Sequence, residues 1–129
     1  MKVFVVGNIV ADETYSVGQL PQEGESVFGS KVSVDLGGKG ANQAIILARS
    51  NIQTILIAAI GADTQAKHLQ SRLATEPVIP RLIEIPKNAS DTSIIIKDRI
   101  GKNVIVTTVE CARSLTVFDV EQRMTDASN

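Results

Sequence analysis

Two short apolar runs, each closed by a glycine, limit what this chain can fold into more than any other feature. "KVFVV" (2–6) ends at Gly7, and "IQTILIAAIG" (52–61) ends at Gly61. A continuous apolar run is the pattern of a strand covered on both faces, as in a parallel sheet flanked by helices. Parallel strands need a crossover between them, most often a helix. The intervening sequence supplies one: from Gly40, residues Ala41, Ala44, Ile45, Leu47 and Ala48 recur at helical spacing in "GANQAIILARS". A second helix is expected over "DTQAKHLQSRLATE" (63–76), with Asp63 as N-cap and Pro77 past its end. "VIPRLIEIP" (78–86) reads as a further strand and "TVFDVEQRM" as the start of a final helix. Strand–helix alternation of this kind implies an α/β sheet.

Two other stretches have a different period. "ETYSVGQLP" (13–21) and "ESVFGSKVSVDL" (25–36) alternate polar and apolar residues, with Pro21 and Gly24 marking the bend between them. Strict alternation puts Val27, Lys31, Ser33 and Asp35 on one face and Phe28, Val32 and Val34 on the other. "TSIIIKD" and "NVIVTTVE" flank Arg99–Lys102 as a β-hairpin. Segments 13–36 and 92–109 therefore read as a separate antiparallel layer with one open face.

Composition narrows the function classes. A chain of 129 residues with 43% hydrophobic residues fits one domain with a real core. A net charge of −1, with no cluster of Lys and Arg, gives no broad attraction to nucleic acid or anionic lipid. An aromatic content of 3%, without Trp, argues against stacking on bases or sugars. Cys111 is the one cysteine, which rules out an internal disulfide and suits a reducing cytosol. The first apolar run is too short for a signal peptide, and no stretch approaches the roughly 20 apolar residues of a membrane span. The expected location is cytoplasmic.

The chemistry centres on "VDLGGKGANQA" (34–44), three glycines and a lysine where a strand becomes a helix. A Walker-type phosphate loop needs G-x-x-x-x-G-K-[ST]. Here Ser33 holds the first glycine position and Gly40 follows Lys39, so that pattern fails twice. A dinucleotide fingerprint fails as well, because Gln43 stands at its third glycine. Taken alone, the glycines can also serve nothing beyond a sharp backbone turn.

"GGKGANQA", read together with "GNIVADETYSVGQLPQEGESV" before it and "IGAD" and "NVIV" after it, resembles the N-terminal part of the ribokinase-like (PfkB-type) carbohydrate kinases. The order of these segments agrees along nearly the whole chain. The resemblance implies a ribokinase-like fold, with a parallel sheet, flanking helices and a small β lid over the sugar. It implies ATP-dependent phosphoryl transfer, with Mg²⁺, to a sugar or nucleoside hydroxyl. In the family an aspartate grips sugar hydroxyls, and Asp12 matches it. The Gly-Lys-Gly-Ala-Asn stretch closes over the sugar, and Gly38, Lys39, Gly40, Ala41 and Asn42 match it. Lys39 keeps two readings, a ligand contact or a solvated side chain. In several members the open lid face pairs with a second lid. Val27, Phe28, Val32, Val34 and the 94–96 isoleucines could supply such a face here, or could pack on their own body.

The match also departs from the family. The position of Val10 is an asparagine in ribokinases, so a sugar hydroxyl there would lose its partner. Glu110-Cys111-Ala112 stands where a Gly-Ala-Asn segment is usual. Family members run to about 300 residues, within the range of one α/β domain, and carry their catalytic aspartate in a Gly-Ala-Gly-Asp motif of the C-terminal half. "IGAD" (60–63) lacks the second glycine and reads as a strand-to-helix turn. The expectation is therefore a truncated ribokinase-like domain over 1–129, with its C-terminal half absent. It would have no catalytic residue of its own, no recognisable ATP or metal site, and no activity alone. The alternative is a non-catalytic fragment that serves only as a lid-mediated dimerisation module. His68 reads as a solvated helix residue, Cys111 as an ordinary thiol, and Glu23 and Glu25 as solvated bend residues.

Overall fold

A computed structural model of the chain describes residues 1–126. Two sheets organise it. The first has the order β1 (Lys2–Val6), β4 (Gln53–Ile60), β5 (Ile79–Glu84), all parallel. The connection from β4 to β5 runs through helix α2 (Thr64–Leu73). Helix α1 (Lys39–Arg49) precedes β4 and packs along it. β4 is the central strand, and from Thr54 to Ile60 every residue is buried. One face of this sheet carries the main core, where Leu56, Ala58 and Ile60 meet Ala41, Ala44 and Ala48 of α1 and Leu69 and Leu73 of α2. On the other face Ile55, Ile57 and Ile83 are covered by Phe4, Leu115 and Val120, the last from helix α4 (Val117–Asp126).

The expected strand over 2–6 forms, but it is only half-buried. Its position explains the difference: β1 pairs with β4 along one side and is an edge of the sheet. Helix α2 begins as the sequence predicts, with the Asp63 side chain accepting from the Ala66 N–H at 2.9 Å.

The second sheet has the order β3–β2–β6–β7, where β2 is Val10–Val17, β3 Gly29–Gly37, β6 Thr92–Lys97 and β7 Asn103–Thr107. Its outer pairs, β2/β3 and β6/β7, are the expected antiparallel hairpins. Its central pair, β2/β6, is parallel, so the layer is mixed at its middle. The strand over 10–17 begins three residues earlier than its alternating stretch, which brings Asp12 inside the ladder. A register shift between Thr14 and Tyr15 leaves Val32 without a partner residue, and this breaks the alternation expected of β3. Ser33 and Asp35 share a face with Asp12, while Lys31 is turned to the opposite face, its Nζ 3.9 Å from Glu13 Oε1. Val34 and Leu36 pack on the main core instead of lining an open lid face.

A short helix, α3 (Glu110–Arg113), follows the second sheet. The buried Asp91 caps it, accepting from Cys111 N at 3.0 Å and Ala112 N at 2.9 Å. Among the described residues no helix is long and apolar enough to cross a membrane.

Candidate functional site

The glycine turn owes its shape to backbone contacts that tolerate no side chain. A Cβ on Gly40 would lie 2.6 Å from Asn8 N and 2.8 Å from Gly7 Cα. The start of α1 therefore sits directly on the segment that leaves β1. Gly38 has φ +97°, a left-handed conformation that glycine adopts without strain.

Gly38 is the N-cap of α1 and has no side chain to satisfy the exposed N–H groups of the first turn. Asn8 does this from a distance. Its Oδ1 accepts from Gly40 N at 3.0 Å and its backbone carbonyl accepts from Ala41 N at 3.0 Å. The Asn42 N–H is bonded to Gly38 O. Sequence reasoning missed Asn8, because a cap supplied from another segment leaves no mark beside the helix it serves. These bonds bear on the chemistry: two amides that a nucleotide phosphate would need are already spent. The described residues also hold no group of three or more His, Cys, Asp or Glu side chains placed to bind a metal ion. The turn does not fit a nucleotide phosphate.

Asp12 lies beside this turn. It pairs across the sheet with Asp35 on β3 and with Ser93 on β6. A Cβ at Gly37 would fall 2.2 Å from Asp12 Oδ2, so the missing side chain at 37 makes room for the carboxylate. Burial, and then the Asp35 carboxylate opposite, raise the Asp12 carboxyl above its ordinary value, and a hydrogen bond from Ser93 offsets them in part. Ser93 in turn shares a 2.9 Å hydrogen bond with Thr107 on β7. By register, Asp12, Thr14, Ser33, Asp35, Ser93 and Thr107 share one face with Ile95, Ile105 and, further along the strands, Lys97, with Gly37 at its foot. A half-buried carboxylate among hydroxyls beside an open turn is suited to accept hydrogen bonds from a polyhydroxy ligand.

The other expected site residues are placed less uniformly. Lys39 opens α1 and is exposed. Gly40 and Ala41 are buried, and the Ala41 methyl belongs to the main core. Asn42 is exposed and borders a depression of about 400 Å³ between α1 and the end of α2, together with Leu36, Ile45, Arg49, Arg72 and Glu76. Arg49 and Glu76 form an ion pair there. Val10 is buried on the same strand face as Asp12, directly opposite Gly37.

The remaining singled-out residues are structural. "IGAD" is a tie between layers: Asp63 Oδ2 accepts from Ser90 N at 2.9 Å, its Oδ1 from Ser90 Oγ at 2.7 Å, and Ser90 Oγ accepts from Gly61 N. Burial opposes the Asp63 charge, but the bonds from Ser90 and Ala66 outweigh it and hold this carboxyl below its ordinary value. His68 is not the solvated residue its polar surroundings predict. It is half-buried, with Nε2 3.3 Å from Val34 O, because α2 docks on β3. Cys111 is fully buried, its Sγ bonded to Ala89 O. Burial, with the nearby Asp91 and Asp63 carboxylates, pushes its thiol up to about 11, as an inert cysteine requires.

Comparison with known proteins gives the family and the fold. Residues 1–124 match the sequence pattern described as pfkB family carbohydrate kinase. The chain is 36% identical over 74 residues to the ribokinase of Haemophilus influenzae, an alignment covering 57% of this chain and 24% of that one. It is 25% identical over 127 residues to the deoxyribokinase of Salmonella typhi, covering 98% of this chain and 42% of that one. Its fold superposes on Arabidopsis thaliana ribokinase complexed with ribose and ATP with a TM-score of 0.74 at 25% identity, over 82% of this chain and 35% of the other. The chain thus spans less than half the length of these relatives.

Proposed function

Because the chain belongs to the pfkB family of carbohydrate kinases, we propose that it forms the sugar-gripping, lid-bearing part of an ATP-dependent sugar kinase. The observation that carries this reading is the Asp12 carboxylate, lodged in the space left at Gly37 beside the Gly38 turn. In this role Asp12 accepts hydrogen bonds from sugar hydroxyls and fixes the orientation of the ring. Gly38 lets backbone approach the ligand closely, Lys39 reaches it from the first turn, and Gly40 and Ala41 seat that turn on Asn8. Asn42 supplies an amide at the helix start. The second sheet covers the sugar and keeps water from competing as phosphoryl acceptor.

ATP and Mg²⁺ would supply the transferable phosphoryl group and neutralise its charge. The glycine turn, whose first amides are bonded to Asn8, does not hold the nucleotide in this reading. In this reading the chain binds sugar but transfers no phosphoryl group alone, and the catalytic base and nucleotide pocket belong to a complementary C-terminal half. The ligand is a sugar or nucleoside. Val10 places hydrocarbon beside Asp12, which favours a ligand without a hydroxyl at that point, and the deoxyribokinase similarity runs along almost the whole chain.

Thermal melts of the 129-residue chain with ribose, 2-deoxyribose, hexoses and nucleosides test this. Unfolding entropy of about 2.1 cal/mol/K per residue gives about 0.27 kcal/mol/K for 129 residues. A ligand at 100 times its Kd adds about 2.7 kcal/mol, and so raises the midpoint by about 10 °C. The expected result is such a rise with one sugar, abolished by Asp12→Ala. No response to any sugar would defeat the reading.

A second reading has its own support. Ile94, Val104 and Val106 are exposed on one face of the second sheet, and Phe28 and Val32 are exposed near its edge. These residues suit lid-to-lid pairing, in which the chain acts as a dimerisation module. Sedimentation would separate the two readings: a concentration-dependent dimer without sugar response favours the module.

A further inference from the structure

Helix α2 touches the base of the second sheet through one polar stripe. Gln65 Nε2 donates to Glu13 Oε1 at 3.0 Å, His68 meets Val34 O at 3.3 Å, and Arg72 lies 3.6 Å from Asp35 Oδ1. The first two contacts fasten strands β2 and β3 to the body. The third reaches Asp35, the residue directly opposite Asp12 in the β2/β3 register.

Like charges directly opposite one another on adjacent strands are unfavourable, and their Cβ atoms stand about 4.5–5.5 Å apart. A sheet that needed only a polar residue at 35 would be better served by a neutral one. Here the repulsion is retained and a cation is brought to its far side. On Asp12's own face of the sheet the one cation among the described residues is Lys97, four residues along β6 from Ser93, at the far end of the strand. β6 and β7 contribute the hydroxyls of Ser93 and Thr107, and β2 itself contributes Thr14. Glu13 and Lys31 are turned to the opposite face, where they face each other. Lys39 stands two residues past Gly37, exposed at the start of α1. Asp35 is therefore the carboxylate that bears directly on Asp12, and Arg72 is the cation that bears directly on Asp35.

We propose that Asp35, held from α2 by Arg72, is a positioning residue for sugar binding, setting the charge with which Asp12 meets a sugar hydroxyl. The proposal rests on the sugar-site reading above. Repulsion from Asp35 makes the ionised Asp12 costly while the site is empty, and a donated sugar O–H relieves that cost. Arg72 limits the repulsion, so that Asp12 remains ionised when a ligand arrives. The α2 stripe thus links the seat of the lid to the electrostatics of the grip.

The test is a pH titration of the aspartate side-chain carboxyl carbons by NMR on the 129-residue chain. Wild type is compared with Asp35→Asn and Arg72→Gln, each with and without 2-deoxyribose or ribose. Removing a like charge at this separation should lower the Asp12 midpoint by about half a unit to one unit in Asp35→Asn. Arg72→Gln should raise it by a smaller amount. The acid limb of sugar affinity should move in the same two directions. An Asp12 midpoint unmoved in both variants would overturn the proposal, even if sugar perturbs Asp12. Midpoints that move while neither sugar perturbs Asp12 would instead defeat the sugar-site reading, leaving only the coupling between the two carboxylates. The Asp35 and Arg72 side chains are each about half exposed, so these variants should fold, and a backbone amide spectrum verifies it.

Discussion

Replacing Asn8 tests how the glycine turn is held. In Asn8→Ala the Gly40 N–H loses its Oδ1 partner, while Ala41 N keeps the carbonyl of residue 8, which any side chain leaves in place. Loss of a side-chain cap costs about 1 kcal/mol. That figure already contains the cost of leaving the partly buried Gly40 N–H without its partner. The partial burial places the loss at about 1–2 kcal/mol, the upper part of the range for a cap. At the unfolding entropy used above, the midpoint should fall by about 4–7 °C. Asn8→Asp retains an acceptor oxygen and sets a negative charge at the helix N-terminus, which favours it by about 0.3–1 kcal/mol. It should melt at or above wild type at neutral pH. The assay is a reversible melt followed by circular dichroism at pH 7. If Asn8→Ala melts within about 1 °C of wild type, or if Asn8→Asp falls as far as Asn8→Ala, the reasoning fails. The second result would mean that residue 8 matters for shape and not as an acceptor.

Asp12 should be a site residue whose charge costs stability. Its carboxyl lies above its ordinary value, so the folded chain retains a proton that the unfolded chain has released, and stability falls as pH rises through that window. Asp12→Asn should therefore melt higher than wild type at neutral pH, with the difference closing in acid, and should lose any sugar response. Cys111 should react with a thiol reagent about 100-fold more slowly in the native chain than in denaturant; equal rates would contradict its burial. Phe28→Asp should leave stability within about 0.5 kcal/mol of wild type, because the ring is fully exposed. If the lid pairs with a second copy, the same change should convert a sedimenting dimer to monomer.

The parts of the fold that were legible in the sequence rest on signals carried by neighbouring residues. Asp63 stands next to the helix it caps, and the hairpin over 92–107 has its turn between its strands. The apolar run at β4 is buried because both flanking strands and both helices come from this chain. The features that escaped are those set by distant partners. Nothing near residues 2–6 states that β1 lies at an edge. The unpartnered Val32 is visible only once β2 is laid beside β3, and it moves Lys31 to the other face. Helix α3 is four residues long and takes its cap from Asp91, some twenty positions earlier. At the candidate site, Asp12 and the glycine turn entered through the resemblance. Asn8 and Asp35 became visible only through the contacts that place them.

The parallel pairing of β2 with β6 also fixes an order of events. Asp12 lies near the start of the chain, but its partner Ser93 comes only after α1, β4, α2 and β5 have been traversed. The hairpin of β2 and β3 can zip locally, but closing it against β6 requires a long loop whose entropy is lost before any contact is gained. The pairing of Asp12 with Ser93 is thus among the last contacts to be assembled. During vectorial synthesis a nascent chain would hold a finished glycine turn well before Asp12 met Ser93, so the two halves of the Asp12 surroundings arise at different times.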